Sequence, residues 1–138
     1  MFAPEPEMQQ WLEAFVREQG GVAGTVHRRA GDDLVLAAAF NIPPPVVQII
    51  LTVPHGKGMA GLALARKEPV QTCNLQTDRT GDVRPGARAV SAQAAIALPV
   101  ADAAGEIRAV AGIAFAHEQE IAPEQSRRLA DAAATLPE

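Results

Sequence analysis

Apolar residues recur at spacings of three and four through Met8, Trp11, Leu12, Phe15 and Val16, which predicts a helix over Met8–Gln19 ended by Gly20-Gly21. The period then falls to two. Val22–Ala30 and Leu34–Phe40 read as strands joined by the turn Gly31-Asp32-Asp33, with Arg28 and Arg29 solvated near the hairpin tip. Pro43–Pro45 preset φ for a short helix over Val46–Leu51. The connector Pro54-His55-Gly56-Lys57-Gly58 leads into a second short helix, Met59–Arg66, and Val70–Asn74 follows as a short strand. Gln93–Val100 and Ile107–His117 are strongly apolar strands joined by Asp102-Ala103-Ala104-Gly105. Pro123–Leu136 closes the chain as a helix with proline at its start and Glu124 in its first turn.

Between these elements, Leu75–Ser91 is the longest polar stretch, and a loop of that length in a compact domain is either functional or mobile. The order of elements predicts a single α+β domain, with mostly antiparallel strands and the terminal helices on one face. The middle helices then cover the other face or close a pocket on it. A chain of 138 residues without repeats or a linker fits that single domain. Its 48% hydrophobic and 20% charged content excludes an intrinsically disordered chain. Much of the apolar share is small: 28 alanines against four Phe, one Trp and no Tyr. Such side chains let elements pack closely but leave few bulky anchors for a large protein interface.

A net charge of −4 removes the general attraction to nucleic acid or anionic lipid that a basic domain has. Met1–Glu7 holds acids and prolines rather than a basic, then apolar, leader, and no run approaches the roughly 20 apolar residues of a membrane span. A soluble cytoplasmic protein is the expectation. Cys73 is the only cysteine, so no intrachain disulfide can form.

The segment Pro54-His55-Gly56-Lys57-Gly58-Met59-Ala60-Gly61-Leu62-Ala63, continuing to Glu68-Pro69-Val70, resembles the signature of GAF domains. The hairpin Ala97-Leu98-Pro99-Val100 to Val110-Ala111-Gly112-Ile113 resembles the last two strands of that family. The resemblance covers nearly the whole chain. It implies a profilin-like six-stranded antiparallel sheet, homodimerisation through the terminal helices and a small-molecule pocket on the opposite face. Taken alone, Gly56-x-Gly58-x-x-Gly61 also matches a dinucleotide fingerprint. It lacks the long buried strand before it and the acidic ribose partner after it, so the glycines read as turn and packing residues.

Alternation separates the faces of the last two strands. Small residues suit a tight sheet–helix contact, which assigns Val110, Gly112 and Ala114 to the terminal helices. Ile113, Phe115 and His117 then face the pocket together with Gln93, Ala95 and Ala97. Arg84 and Arg88 on the long loop would close over them and favour an anionic ligand, since a guanidinium fork matches a carboxylate or phosphate. Two plainer arrangements stay open: side chains packed solidly beneath the middle helices, and the two arginines paired with Asp78 and Asp82 as solvated bridges.

Catalytic chemistry finds little support. There is no Cys-x-x-Cys, His-x-x-x-His or Glu-x-x-His spacing for a metal, and no cofactor is expected. His27 reads as a half-exposed strand residue, His55 as exposed and Cys73 as a buried, inert thiol. Ser91 has no nucleophile-elbow context. Free methionine-(R)-sulfoxide reductases are GAF-like enzymes that share the Gly-Lys-Gly connector, and their chemistry needs an attacking and a resolving thiol. The resemblance would put cysteines at Ala60 and near Arg88, and substrate-holding acids at Ala95, Phe115 and His117; this chain has none of them. The expectation is a non-catalytic sensory or regulatory module for an unknown small molecule. Its signal would pass to a separate effector protein or through the dimer. A structural homodimer module with a filled pocket is the alternative.

Overall fold

A computed structural model describes residues 2–74, 76 and 92–138. The chain runs α1 (Pro6–Glu18), β1 (Ala23–Ala30), β2 (Asp33–Phe40), α2 (Pro44–Ile49), β3 (Thr52–Pro54), α3 (Gly58–Arg66), β4 (Val70–Thr72), β5 (Ala94–Ala101), β6 (Ile107–Phe115) and α4 (Pro123–Ala133). The strands form one six-stranded sheet in the order β3-β2-β1-β6-β5-β4, antiparallel throughout. The predicted α+β architecture and six-stranded antiparallel sheet are therefore present. The residue pattern alone had missed β3, because Thr52-Val53-Pro54 is too short to show an alternation.

The terminal helices cover one face. Met8, Leu12, Phe15 and Val16 of α1 and Leu129 and Ala133 of α4 pack on Val26, Ile96, Leu98, Ile113 and Phe115 of the sheet. Trp11 stacks on Phe15 with ring centroids 4.7 Å apart, and its indole N–H donates to Thr135 Oγ1 at 3.0 Å, tying α1 to the end of α4. Close approach of α1 to β1 depends on Gly24: a Cβ there would meet Val16 Cγ2 at 2.7 Å and the Gly112 carbonyl at 2.8 Å.

β3 covers only the first residues of β2, so the rest of that edge needs other partners. The Glu5 N–H donates to the Ala37 carbonyl at 2.8 Å, and the Gln9 side-chain amide both donates to the Ala39 carbonyl (2.8 Å) and accepts from its N–H (3.1 Å). The hairpin-tip arginines are not simply solvated. Arg28 Nε donates to both Glu5 carboxylate oxygens at 2.8 and 2.9 Å, which ties the N-terminal segment to β1. Arg29 lies 3.8 Å from the Glu106 carboxylate.

On the opposite face α2 and α3 cover the sheet. Leu34, Val53, Ala63, Leu64, Val70, Ala97 and Val110 form one small core there, and Ala23, Val46, Ala92, Ala95 and Ala114 form another. The Gly56–Gly61 connector that starts α3 is shaped by backbone. Gly56 and Gly58 have φ of 79° and 65°, and the Gly56 N–H donates to the Gly61 carbonyl at 2.9 Å. Among the described residues no helix is long and apolar enough to cross a membrane.

Candidate functional site

Between the sheet and α2/α3 the packing is incomplete. A cavity of about 160 Å³ lies above β1, β5 and β6. Its floor is Ala23, Thr25 and His27 from β1, Ala95 and Ala97 from β5, and Gly112 and Ala114 from β6. α2 and its flanks supply Ile42, Val46, Ile49 and Ile50, and α3 supplies Met59 and Ala60. The physical origin is volume: an alanine- and glycine-rich floor under two short helices leaves space that larger side chains would fill.

Strand register decides which residues make that floor, and it overturns the face assignment for β6. Ala95 lies opposite Ala114, Ala97 opposite Gly112, and Ile96 opposite Ile113. Residues directly opposite in an antiparallel pair project to the same face, so Ala95 cannot share a face with Ile113 or Phe115. Val110, Gly112 and Ala114 are on the cavity side, while the Ile113 and Phe115 side chains pack with the terminal helices. Ile113 still borders the cavity, whereas Phe115 does not. Bulky residues fill the large core between sheet and helices, and the small ones are left for the other side.

Of the remaining candidates, Ala95 lines the cavity as expected. Gln93 is half-buried outside it, its N–H donating to the Phe115 carbonyl at 2.9 Å. His117 is exposed beyond the end of β6. Arg84 and Arg88 lie outside the described residues. Cys73 is exposed rather than buried, since β4 ends at Thr72 and it is Thr72 and Asn74 that turn inward.

His27 is the residue that sequence reasoning misplaced most. It is 2% exposed, not half-exposed, and forms part of the cavity wall. Its Nε2 lies 2.9 Å from the Ile50 carbonyl, the residue that caps α2. A carbonyl only accepts, so Nε2 carries the proton, and the neutral ring has its lone pair on Nδ1. Nδ1 is buried and has no hydrogen-bond partner among the described residues. Burial, partly opposed by the Ile50 carbonyl, pushes the His27 pKa below its ordinary 6.5. The signal was present in the alternation, which places Ala23, Thr25 and His27 on one face of β1; that α2 covers this face was not.

The polar inventory of the wall is short. Among the described residues, Thr25, His27 and Lys57 are its only side chains with polar groups, and none of the described lining residues is acidic or a cysteine. Among the described residues no group of His, Cys, Asp and Glu could hold a metal ion.

The same arrangement of sheet and helices occurs in solved structures. The GAF domain of an Acinetobacter phosphoenolpyruvate-protein phosphotransferase superposes with a TM-score of 0.73 at 14% identity, over 94% of this chain and 76% of that one. The fold is that of a GAF domain. The GAF domain of the Coxiella burnetii phosphoenolpyruvate-protein phosphotransferase gives a TM-score of 0.71 at 19% identity, over 96% of this chain and 84% of that one. The type II free methionine-R-sulfoxide reductase from Thermoplasma acidophilum gives 0.72 at 18% identity, over 95% and 89%. No protein-family model matches the chain, and no curated protein matches it in sequence. Phosphotransferase GAF domains and a methionine sulfoxide reductase thus share this fold with the chain, and at these identities the likeness concerns fold alone.

Proposed function

We propose that this protein is a non-catalytic GAF module that binds a small molecule in the cavity between the sheet and α2/α3. The observation that carries the reading is that cavity: an apolar hollow with a few polar groups, in the manner of small-ligand sites. Reductase chemistry is disfavoured by the same wall. Ala60 and Ala95 line the cavity where the reductase resemblance would put a thiol and a carboxylate, and the sole cysteine, Cys73, is not among the lining residues. An acid carried over to Phe115 would lie on the wrong face of the sheet. The signalling arm is proposed to run through a homodimer built on α1 and α4, or to a separate effector.

Thermal unfolding against a panel of metabolites tests the binding role. A ligand held at about 100 times its Kd stabilises the native state by about 2.7 kcal/mol, a shift of several degrees in Tm. Native mass spectrometry of protein from its own host reads retained ligand and oligomeric state together. If no compound shifts Tm and no ligand is retained, a structural module is the better description. NADPH-coupled turnover of free methionine sulfoxide would reverse the non-catalytic reading.

A further inference from the structure

We propose that the cavity takes a compact, uncharged and largely apolar molecule about the size of one aromatic ring, oriented by a single polar contact to the Thr25 hydroxyl. This rests on the binding-module reading and adds the class of ligand. An apolar cavity of roughly 150 Å³ is enough to hold benzene, and this one, open to solvent on one side, is about 160 Å³. Among the described residues its walls are alanine, valine, isoleucine, methionine and glycine except at three positions.

Those three positions differ in what they offer. Lys57 is exposed at the rim, where its ammonium is hydrated and does little for a charge inside. His27 has its one N–H committed to the Ile50 carbonyl, so the neutral ring has no donor left for an anion. Thr25 is half-buried, with its Oγ1 2.9 Å from where a Cβ on Gly112 would stand, so the hydroxyl sits directly over that glycine on the cavity floor. No described residue hydrogen-bonds to it, and a hydroxyl can either donate or accept. A carboxylate moved into such a space loses part of its hydration and finds no described side-chain donor beyond Thr25 inside, whereas an apolar ring with one hydroxyl loses little. Among the described residues the one feature that would favour an anion is the start of α3, which has no side-chain cap and borders the cavity at Gly58 and Met59.

NMR titration of the full chain with toluene, phenol and benzoate separates these possibilities. Toluene and phenol should perturb the amides of Ala23, Ala95 and Ala114, and benzoate should bind at least about tenfold more weakly. Thr25→Val keeps the shape and removes the hydroxyl. It should weaken phenol about three- to tenfold and leave toluene unchanged. Ala114→Leu, verified as folded by circular dichroism, should abolish both. Benzoate binding as well as phenol, or Thr25→Val acting equally on phenol and toluene, overturns the proposal but leaves the binding module standing. So does a failure of all three probes when a charged metabolite raises Tm. A failure of all three with no stabilising metabolite removes both.

Discussion

Acid should destabilise this protein through His27. The ring sits between Leu36 of β2 and Val110 of β6 in the sheet register, under an α2 that carries no charged residue. Among the described residues the only charged side chain lining the same cavity is Lys57, exposed at the rim, which supplies no counter-charge for an imidazolium. Nothing therefore offsets the cost of desolvating the cation except the Ile50 carbonyl, and the folded-state pKa lies below 6.5. In the unfolded chain the same residue titrates near 6.5. Between the two values the unfolded state binds more protons, so stability is complete above pH 6.5 and is lost as pH falls towards the folded-state pKa. The slope approaches about 1.4 kcal/mol per pH unit. Urea titrations at pH 7.5, 6.5 and 5.5 on the wild type and His27→Gln measure this directly, because glutamine can still donate to the Ile50 carbonyl but does not ionise. The stability difference between the two proteins should shift with pH in favour of the variant below 6.5. A difference that stays constant over that range would falsify the burial argument.

Gly24→Ala should cost about 1–3 kcal/mol in chemical denaturation, because the added methyl meets Val16 and the Gly112 carbonyl and α1 must move off the sheet; a neutral result would show that α1 is loosely seated. Gln9→Ala strips both hydrogen bonds from the Ala39 backbone and should cost about 1–2 kcal/mol by the same assay. Phe115→Ala should lose about 3–5 kcal/mol, as a core phenylalanine under the terminal helices does, and a loss below 1 kcal/mol would contradict its burial there. Cys73 should react with a maleimide in the native protein at a rate that urea does not accelerate, whereas protection until unfolding would contradict its exposure.

The gross layout was legible before the structure because long periodic segments announce themselves. The apolar stripe of α1, the β1–β2 hairpin around Gly31, the β5–β6 hairpin around Gly105 and the proline-led α4 lie within a few residues of where the pattern put them. The glycine spacing at Gly56, Gly58 and Gly61 reflects real backbone demands, and it carried the resemblance to the GAF fold that the sheet order and the superpositions share.

Three features came only from the tertiary structure. Val110–Phe115 is apolar on both faces, so alternation could not say which side met the terminal helices; hydrogen-bond register across β5 and β6 settles it by pairing Ala95 with Ala114. His27 follows Val26 and precedes two arginines, a context that reads as half-solvated, and its burial arises because α2, far along the chain, folds over that face and offers the Ile50 carbonyl. The resemblance implied a pocket on this face; that it is hollow rather than filled is a difference between the space the backbone encloses and the volume its small side chains fill. Local sequence determines period, turns and caps because these act over a few residues; facing, burial and empty space depend on which distant segments meet.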